Sequence, residues 1–216
     1  MSRPDELASQ PPAPLPELSR SIELVRQSQA GNREACNELL ERYRPRLLRI
    51  VRVKLGAELR KHLDEEDVVQ EALLIASTKL VSFELRSHAG ILHWLARIAE
   101  NVIRQKRERH GAEKRGAGRE LSLHPGDTTG LAVAASSLSP SQQASRAELE
   151  ELVDATVEEL EPPEYREVIL QRDYYQEEWE DVRRVLDRPT VAAAQELYRR
   201  AHERLKERLR KHLDRP

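Results

Sequence analysis

The chain has 216 residues, room for one or two small domains, and its 38% apolar share includes only two Trp, five Tyr and one Phe. That composition suits helical units with aliphatic cores and argues against a large sheet enzyme. The formal net charge of −2 hides a segregation. Residues 86–119 hold nine Lys or Arg against three Glu, residues 148–181 hold fourteen acids against two Arg, and residues 191–213 hold seven basic residues against three Glu.

Residues 1 to 18 collect Pro4, Pro11, Pro12, Pro14 and Pro16, which fix φ and remove donors, so a disordered tail is expected. Helical periodicity follows to about residue 110. Ile22, Leu24 and Val25 precede Gly31, a helix stop, and Asn32 can cap the next helix. That helix carries Leu39, Leu40, Tyr43, Leu47, Leu48, Ile50 and Val51, with Pro45 expected to kink or divide it. Asp64 can cap a third helix, "EEDVVQEALLIASTKL", with Val68, Ala72, Leu73, Ile75 and Ala76 on its buried side. Asp67, Gln70, Glu71 and Leu74 lie on the opposite side, where the leucine is out of keeping with its polar neighbours. "VSFELRSHAG" reads as a loop, and "HWLARIAENVIRQKRERH" as the fourth helix.

Residues 111–145 gather Gly, Ser, Ala and Pro and read as a flexible linker. Helix resumes near Pro140, and "PPEYREVILQRDYY", "EEWEDVRRVL" and "TVAAAQELYRRAHERLKERLRKHL" give three more helices. The expected architecture is all-α, in two small helical domains over residues 19–110 and 146–214.

Cys36 is the lone cysteine, so no internal disulfide can form, and a reducing cytoplasm is the expected compartment. No apolar run approaches the roughly 20 residues that span a bilayer, so no membrane insertion is expected. The seven histidines lack CxxC or HExxH spacing, and no Walker loop, GxSxG or GxGxxG occurs. Neither a metal, a cofactor nor a catalytic constellation is expected, and the chain does not read as an enzyme. The acidic run Asp64 to Asp67 complements a helix N-terminus.

Two surfaces stand out. On the fourth helix Trp94, Leu95, Ile98, Ala99 and Val102 share the core side, while Arg97, Asn101 and Arg104 project together on the other. Lys106, Arg107 and Arg109 extend the charge, and Arg86 and His88 lie in the loop just upstream. Several cations on one rigid face suit phosphate binding by counterion release, although a solvated face has a similar pattern. The last two helices, joined by "DRP", have the proportions of a helix-turn-helix, with Asp187 as a cap and Pro189 in the first turn. Ala194, Leu197, Ala201 and Leu205 face inward; Arg188, Ala192, Gln195 and Arg199 face outward, where Gln and Arg could read base edges.

With these segments in place, the sequence resembles the extracytoplasmic-function sigma factors of the bacterial sigma-70 family. "DEEDVVQEALL" resembles the family's polymerase-docking helix, and "ILHWLARIAENVIRQKRER" the helix that opens and reads the −10 promoter element. "LEPPEYREVILQRDYYQEEWEDVRRVLDRPTVAAAQELYRRAHERLKERL" is similar to the domain that reads the −35 element. The resemblance implies a region 2-like bundle and a region 4-like helix-turn-helix, with core RNA polymerase and promoter DNA as partners and room for an anti-sigma factor. It implies polymerase contacts at Asp67, Gln70, Glu71 and Leu74. DNA contacts near −10 would come from Arg86, His88, Arg97, Asn101, Arg104, Lys106 and Arg107, and near −35 from Arg188, Gln195 and Arg199. Arg183 stands where the family has a small alanine, and Asp187 where it has a turn glycine; the cation would obstruct the packing between the two helices unless it reaches solvent. The rival readings are a helix-turn-helix regulator that acts without polymerase, and a helical protein–protein adaptor. Neither requires the docking-like helix at 64–80.

Overall fold

A computed structural model describes residues 16–84, 90–115 and 140–213, with side chains for 19–84, 90–110 and 145–212. The helices are α1 (Pro16–Gln29), α2 (Arg33–Arg60), α3 (Glu65–Lys79), α4 (Gly90–Arg115), α5 (Pro140–Glu158), α6 (Pro163–Ile169), α7 (Trp179–Val185) and α8 (Val191–Leu213). A 3-10 turn, Leu80–Ser82, follows α3, and a π turn, Leu170–Tyr174, continues α6. The described residues contain no strand. Helix α1 begins at Pro16, within the expected tail, and helix also occupies residues 111–115 and 140–145 on either side of the expected linker. Residues 1–15 and 116–139, and with them the rest of the tail and linker, lie outside the described residues, as do Arg86 and His88. No described helix is long and apolar enough to cross a membrane.

The caps expected at Asn32 and Asp64 form. The Asn32 side chain accepts from the N–H groups of Glu34 and Ala35, and Asp64 accepts from that of Glu66, satisfying donors that the first turn leaves free. Gly31 ends the preceding helix at φ +92°, a conformation that glycine adopts without Cβ strain. Pro45 does not divide α2: the dihedrals stay helical through it, and the irregular residue is Gly56, at φ 74° and ψ 156°. Packing of α2 against α1, α3, α4 and α5 holds the helix together across the proline's missing hydrogen bond.

Two apolar cores result. The first joins α1 to α4 through Leu24, Leu39, Leu47, Ile50, Val68, Ala72, Leu95 and Ala99. Val69 is buried as well, and Ile75 only partly, so the buried stripe of α3 is rotated slightly from its expected position. The second joins α5 to α8 through Val157, Leu160, Val168, Ile169, Leu170, Val182, Ala194, Ala201 and Leu205.

The cores meet along α2. Val53 of α2 belongs to the second core, whereas Tyr175, just past the π turn, is buried in the first. Tyr174 packs against both. The π turn widens the helical path by about one residue, so Leu170 can enter one core while Tyr175 enters the other.

Between them Asp154 of α5 is fully buried, and its Oδ1 accepts hydrogen bonds from Arg49 Nη2 (2.8 Å), Arg49 Nε (3.1 Å) and the Tyr174 hydroxyl (2.6 Å). Arg52 lies 3.7 Å away. Burial and the neighbouring carboxylate push the Tyr174 phenol well above its usual pKa, so it stays a donor. Where α2 breaks at Gly56, the freed Ala57 N–H donates to Glu158 of α5, whose other oxygen pairs with Arg60 at 2.6 Å. A Cβ on Gly56 would stand 3.4 Å from that Glu158 oxygen, in a backbone conformation that L residues rarely adopt. Gly56→Ala should therefore cost about 1–2 kcal/mol in denaturant unfolding; unchanged stability would show that the positive φ is not required.

Candidate nucleic-acid interface

Helix α4 is oriented by its apolar stripe. Ile91, Leu95, Ile98, Ala99 and Val102 are buried among α2 and α3, and Trp94 packs on Phe83 with ring centroids 4.6 Å apart. Trp94 is thus a wall of the first core. The opposite side leaves Arg97, Asn101, Arg104 and Arg107 exposed, and Arg109 is exposed beyond the end of the apolar stripe. Arg104 donates to the Asn101 side-chain oxygen at 2.9 Å, which holds the two groups side by side. Lys106 points elsewhere. It lies half a turn round the helix from Arg97 and pairs with Glu71 of α3 at 2.8 Å.

That pair links the two faces the sequence singled out. On α3, Asp67 and Gln70 are exposed and Leu74 is 68% exposed, whereas Glu71 is drawn toward Lys106. Val81, on the 3-10 turn that follows, is as exposed as Leu74. The apolar side of this face is therefore broader than the sequence pattern suggested, because residue 81 fell in a segment read as loop.

The helix-turn-helix forms with its expected inner surface: Val182, Ala194 and Ala201 are fully buried and Leu205 nearly so. Arg183 does not obstruct it. Its guanidinium pairs with Glu180 at 2.6 Å and donates to the Arg188 carbonyl at 3.2 Å, while its own carbonyl accepts from the Arg188 N–H at 2.9 Å. The cation braces the turn from outside. Asp187 occupies the left-handed position of that turn, at φ 49°. It does not cap α8; Thr190 does, accepting from the Ala193 N–H at 3.1 Å, and Pro189 precedes the helix.

On α8, Gln195 and Arg199 are exposed as expected, but the charges alternate. Arg199 pairs with Glu196 at 2.8 Å and with Glu203, and Arg200 also pairs with Glu196. Those two arginines lower the Glu196 pKa to about 2. Because the folded value is depressed, these pairs are fully present above the usual carboxylate range and are lost only as pH falls through about 2. Salt screens them more readily than mild acid disrupts them. Arg188 is half-buried and pairs with Glu164 of α6 at 2.8 Å.

The sequence pattern did not single out the cations of α2. Arg49, Arg52, Lys54 and Arg60 meet acids of the second unit: Asp154, Glu151 (3.6 Å), Glu167 (3.1 Å) and Glu158. On α4, His93 Nδ1 lies 2.5 Å from Glu177, and the Tyr175 hydroxyl donates to Glu100 at 3.3 Å. A signal was present, since "LLRIVRVKL" spreads apolar residues around more than one side of α2, as in a helix buried on two sides.

A family model described as "ECF sigma factor" matches residues 19–174. Among curated proteins no relative matches. The solved structure of CnrH in complex with the cytosolic domain of CnrY is similar at 23% identity, with a TM-score of 0.51, over 89% of this chain and 98% of that one. A sigma factor RpoE in complex with the anti-sigma factor NepR from Bartonella quintana is 21% identical, with a TM-score of 0.45, over 82% and 99%. The likeness to CnrH extends to the fold. The left-handed turn residue is directly testable: Asp187→Gly should stabilise the chain by about 0.5–1 kcal/mol in thermal or chemical unfolding, and reduced stability would contradict the strain assigned to that position.

Proposed function

The chain belongs to the ECF sigma factor family, and from that premise we propose which of its surfaces meet polymerase and promoter. As a member it binds core RNA polymerase and directs transcription initiation; sigma factors are initiation factors rather than enzymes.

The single observation that supports the assignment is the adjacency of two unlike faces on α3 and α4. The exposed Leu74, on the same side of α3 as Asp67 and Gln70, offers an apolar anchor with a polar rim, the make-up of a protein–protein contact. One helix away, Arg97, Asn101, Arg104 and Arg107 present cations and an amide to solvent, which suits a nucleic-acid backbone. We assign Asp67, Gln70, Glu71 and Leu74 to polymerase, and Arg97, Asn101, Arg104 and Arg107 to the −10 region. Arg86 and His88, in the loop that in this family captures an extruded base, complete that proposal. Strand opening costs a few kcal/mol per unstacked base, offset by binding the displaced base. Lys106 acts indirectly, holding α4 against α3 through Glu71.

The −35 surface is assigned to Gln195 and Arg199, with Arg188 joining only if it releases Glu164. Glu196 and Glu203 beside Arg199 reduce its attraction for phosphate, so contact here depends on polymerase holding the second unit at the promoter.

Mixing the protein with core RNA polymerase and sequencing transcript 5′ ends from genomic DNA tests the function. New start sites with a shared upstream element are expected; no complex and no new starts would contradict it. Replacing Arg97 and Arg104 together by Ala should weaken open-complex formation and lower the salt-dependence slope by roughly 0.9 for each phosphate no longer neutralised. An unchanged slope would return that face to solvation. Conversely, Glu196→Gln with Glu203→Gln should tighten binding to −35 duplex by roughly tenfold at ~0.1 M salt and steepen its salt dependence; unchanged affinity would remove Arg199 from the DNA contact.

A further inference from the structure

The cations of α2 meet the acids of the second unit along a charged seam. Beside that seam lies a cleft of about 300 Å³ that neither of the surfaces assigned above uses. Its floor is apolar. Val153 and Val157 stand one turn apart on α5, and Ile169 of α6 and Leu205 of α8 complete it. Val157, Ile169 and Leu205 also belong to the second core, so packing fixes the floor before anything enters. Tyr174 forms one wall, with the Arg49 guanidinium 5.0 Å from its ring centroid.

The rim is polar, and its acid is spent. Asp173 has both oxygens engaged, Oδ1 by the Tyr198 hydroxyl and Oδ2 by His202 Nε2 at 2.8 Å. Two guanidinium groups supply the opposite sign. Arg49 gives Nε and Nη2 to Asp154, and a guanidinium carries two further donors on Nη1. Arg46, one turn earlier on the same side of α2, is exposed and lines the cleft as well. Gln176 adds a side-chain amide.

We propose that this cleft binds a small amphipathic monoanion, an aliphatic carboxylate, with its chain on the Val157, Ile169 and Leu205 floor and its charge at Arg46 and Arg49. Small-molecule sites concentrate where structural units meet, and the volume is at the lower end of their usual range of about 300–1,000 Å³. That size selects a chain of about eight carbons over a larger ligand. The planar guanidinium fork matches a carboxylate. A phosphate monoester would bring a second negative charge toward Asp173, so a single charge is favoured. Each buried methylene tightens binding roughly fourfold; the chain supplies most of the affinity and the rim sets the orientation.

Isothermal titration calorimetry on the full chain, with octanoate, 1-octanol and octylammonium as probes, tests this. Octanoate should bind saturably at one site and raise the melting temperature. The neutral and cationic probes should bind at least roughly tenfold more weakly. Arg46→Ala should weaken octanoate by roughly tenfold and leave octanol unchanged, whereas Val153→Phe, which fills the cleft, should weaken both. Arg46 is exposed, so its variant decides the matter where the filled one fails to fold. No saturable octanoate binding by the wild-type chain, octanol binding as tightly as octanoate, or octanoate affinity unchanged in either folded variant would overturn the inference. Polymerase is absent from the measurement, so its failure would leave the functional reading standing.

Discussion

Asp154 is the hinge of the arrangement in the energetic sense. A fully buried carboxylate is expensive unless it is paired and its remaining lone pairs are filled. Here Arg49 and the Tyr174 hydroxyl donate to it and Arg52 adds its charge at 3.7 Å, and both arginines come from the other unit's longest helix. Burial alone would lower the Arg49 pKa, but the hydrogen bond and charge of Asp154 outweigh it and raise it. Such a cluster adds little net stability over an apolar contact. We take its role to be selection: it admits one registry of α5 on α2 and penalises the rest.

Other local features are consistent with that registry. The break at Gly56 frees an N–H that Glu158 takes up only if α5 lies where Asp154 places it. The π turn presents Tyr174 to Asp154 and Tyr175 to the first core in succession. Val53, on a helix of the first unit, fills the second core. The surface charges follow suit. Asp154, Glu151, Glu158 and Glu167 of the acidic stretch pair with α2, and Glu196, Glu203 and Glu207 pair along α8, so local pairing, more than net charge, decides which cations are free.

The helices, their caps and both inner faces were legible in the sequence because each is set by residues close together in the chain: Asn32 and Asp64 cap the helices they precede, and Ala194, Ala201 and Leu205 repeat at helical spacing. Pro45 misled because a local penalty was outweighed by packing on several sides of α2. Asp187 misled because a residue able to cap was needed instead for a left-handed turn. Lys106 counted as one cation of a basic run until α3 brought Glu71 beside it. The seam was the least legible part, since Arg49 and Asp154 lie far apart in the chain and nothing local in either helix specifies the other.

A chain whose proposed −10 and −35 surfaces lie on units packed together along α2 is expected to change shape when both surfaces engage a promoter on polymerase. Pulsed electron resonance between spin labels on the exposed positions Arg26 of α1 and Lys211 of α8, with Cys36 replaced by Ser, reads that change directly. The free protein should give a single short distance compatible with a closed body about 45 Å across. On core RNA polymerase the distribution should move outward by roughly 20 Å or more as the units separate toward the ~85 Å that about 25 base pairs between the two elements span. The same distance with and without polymerase would contradict the account.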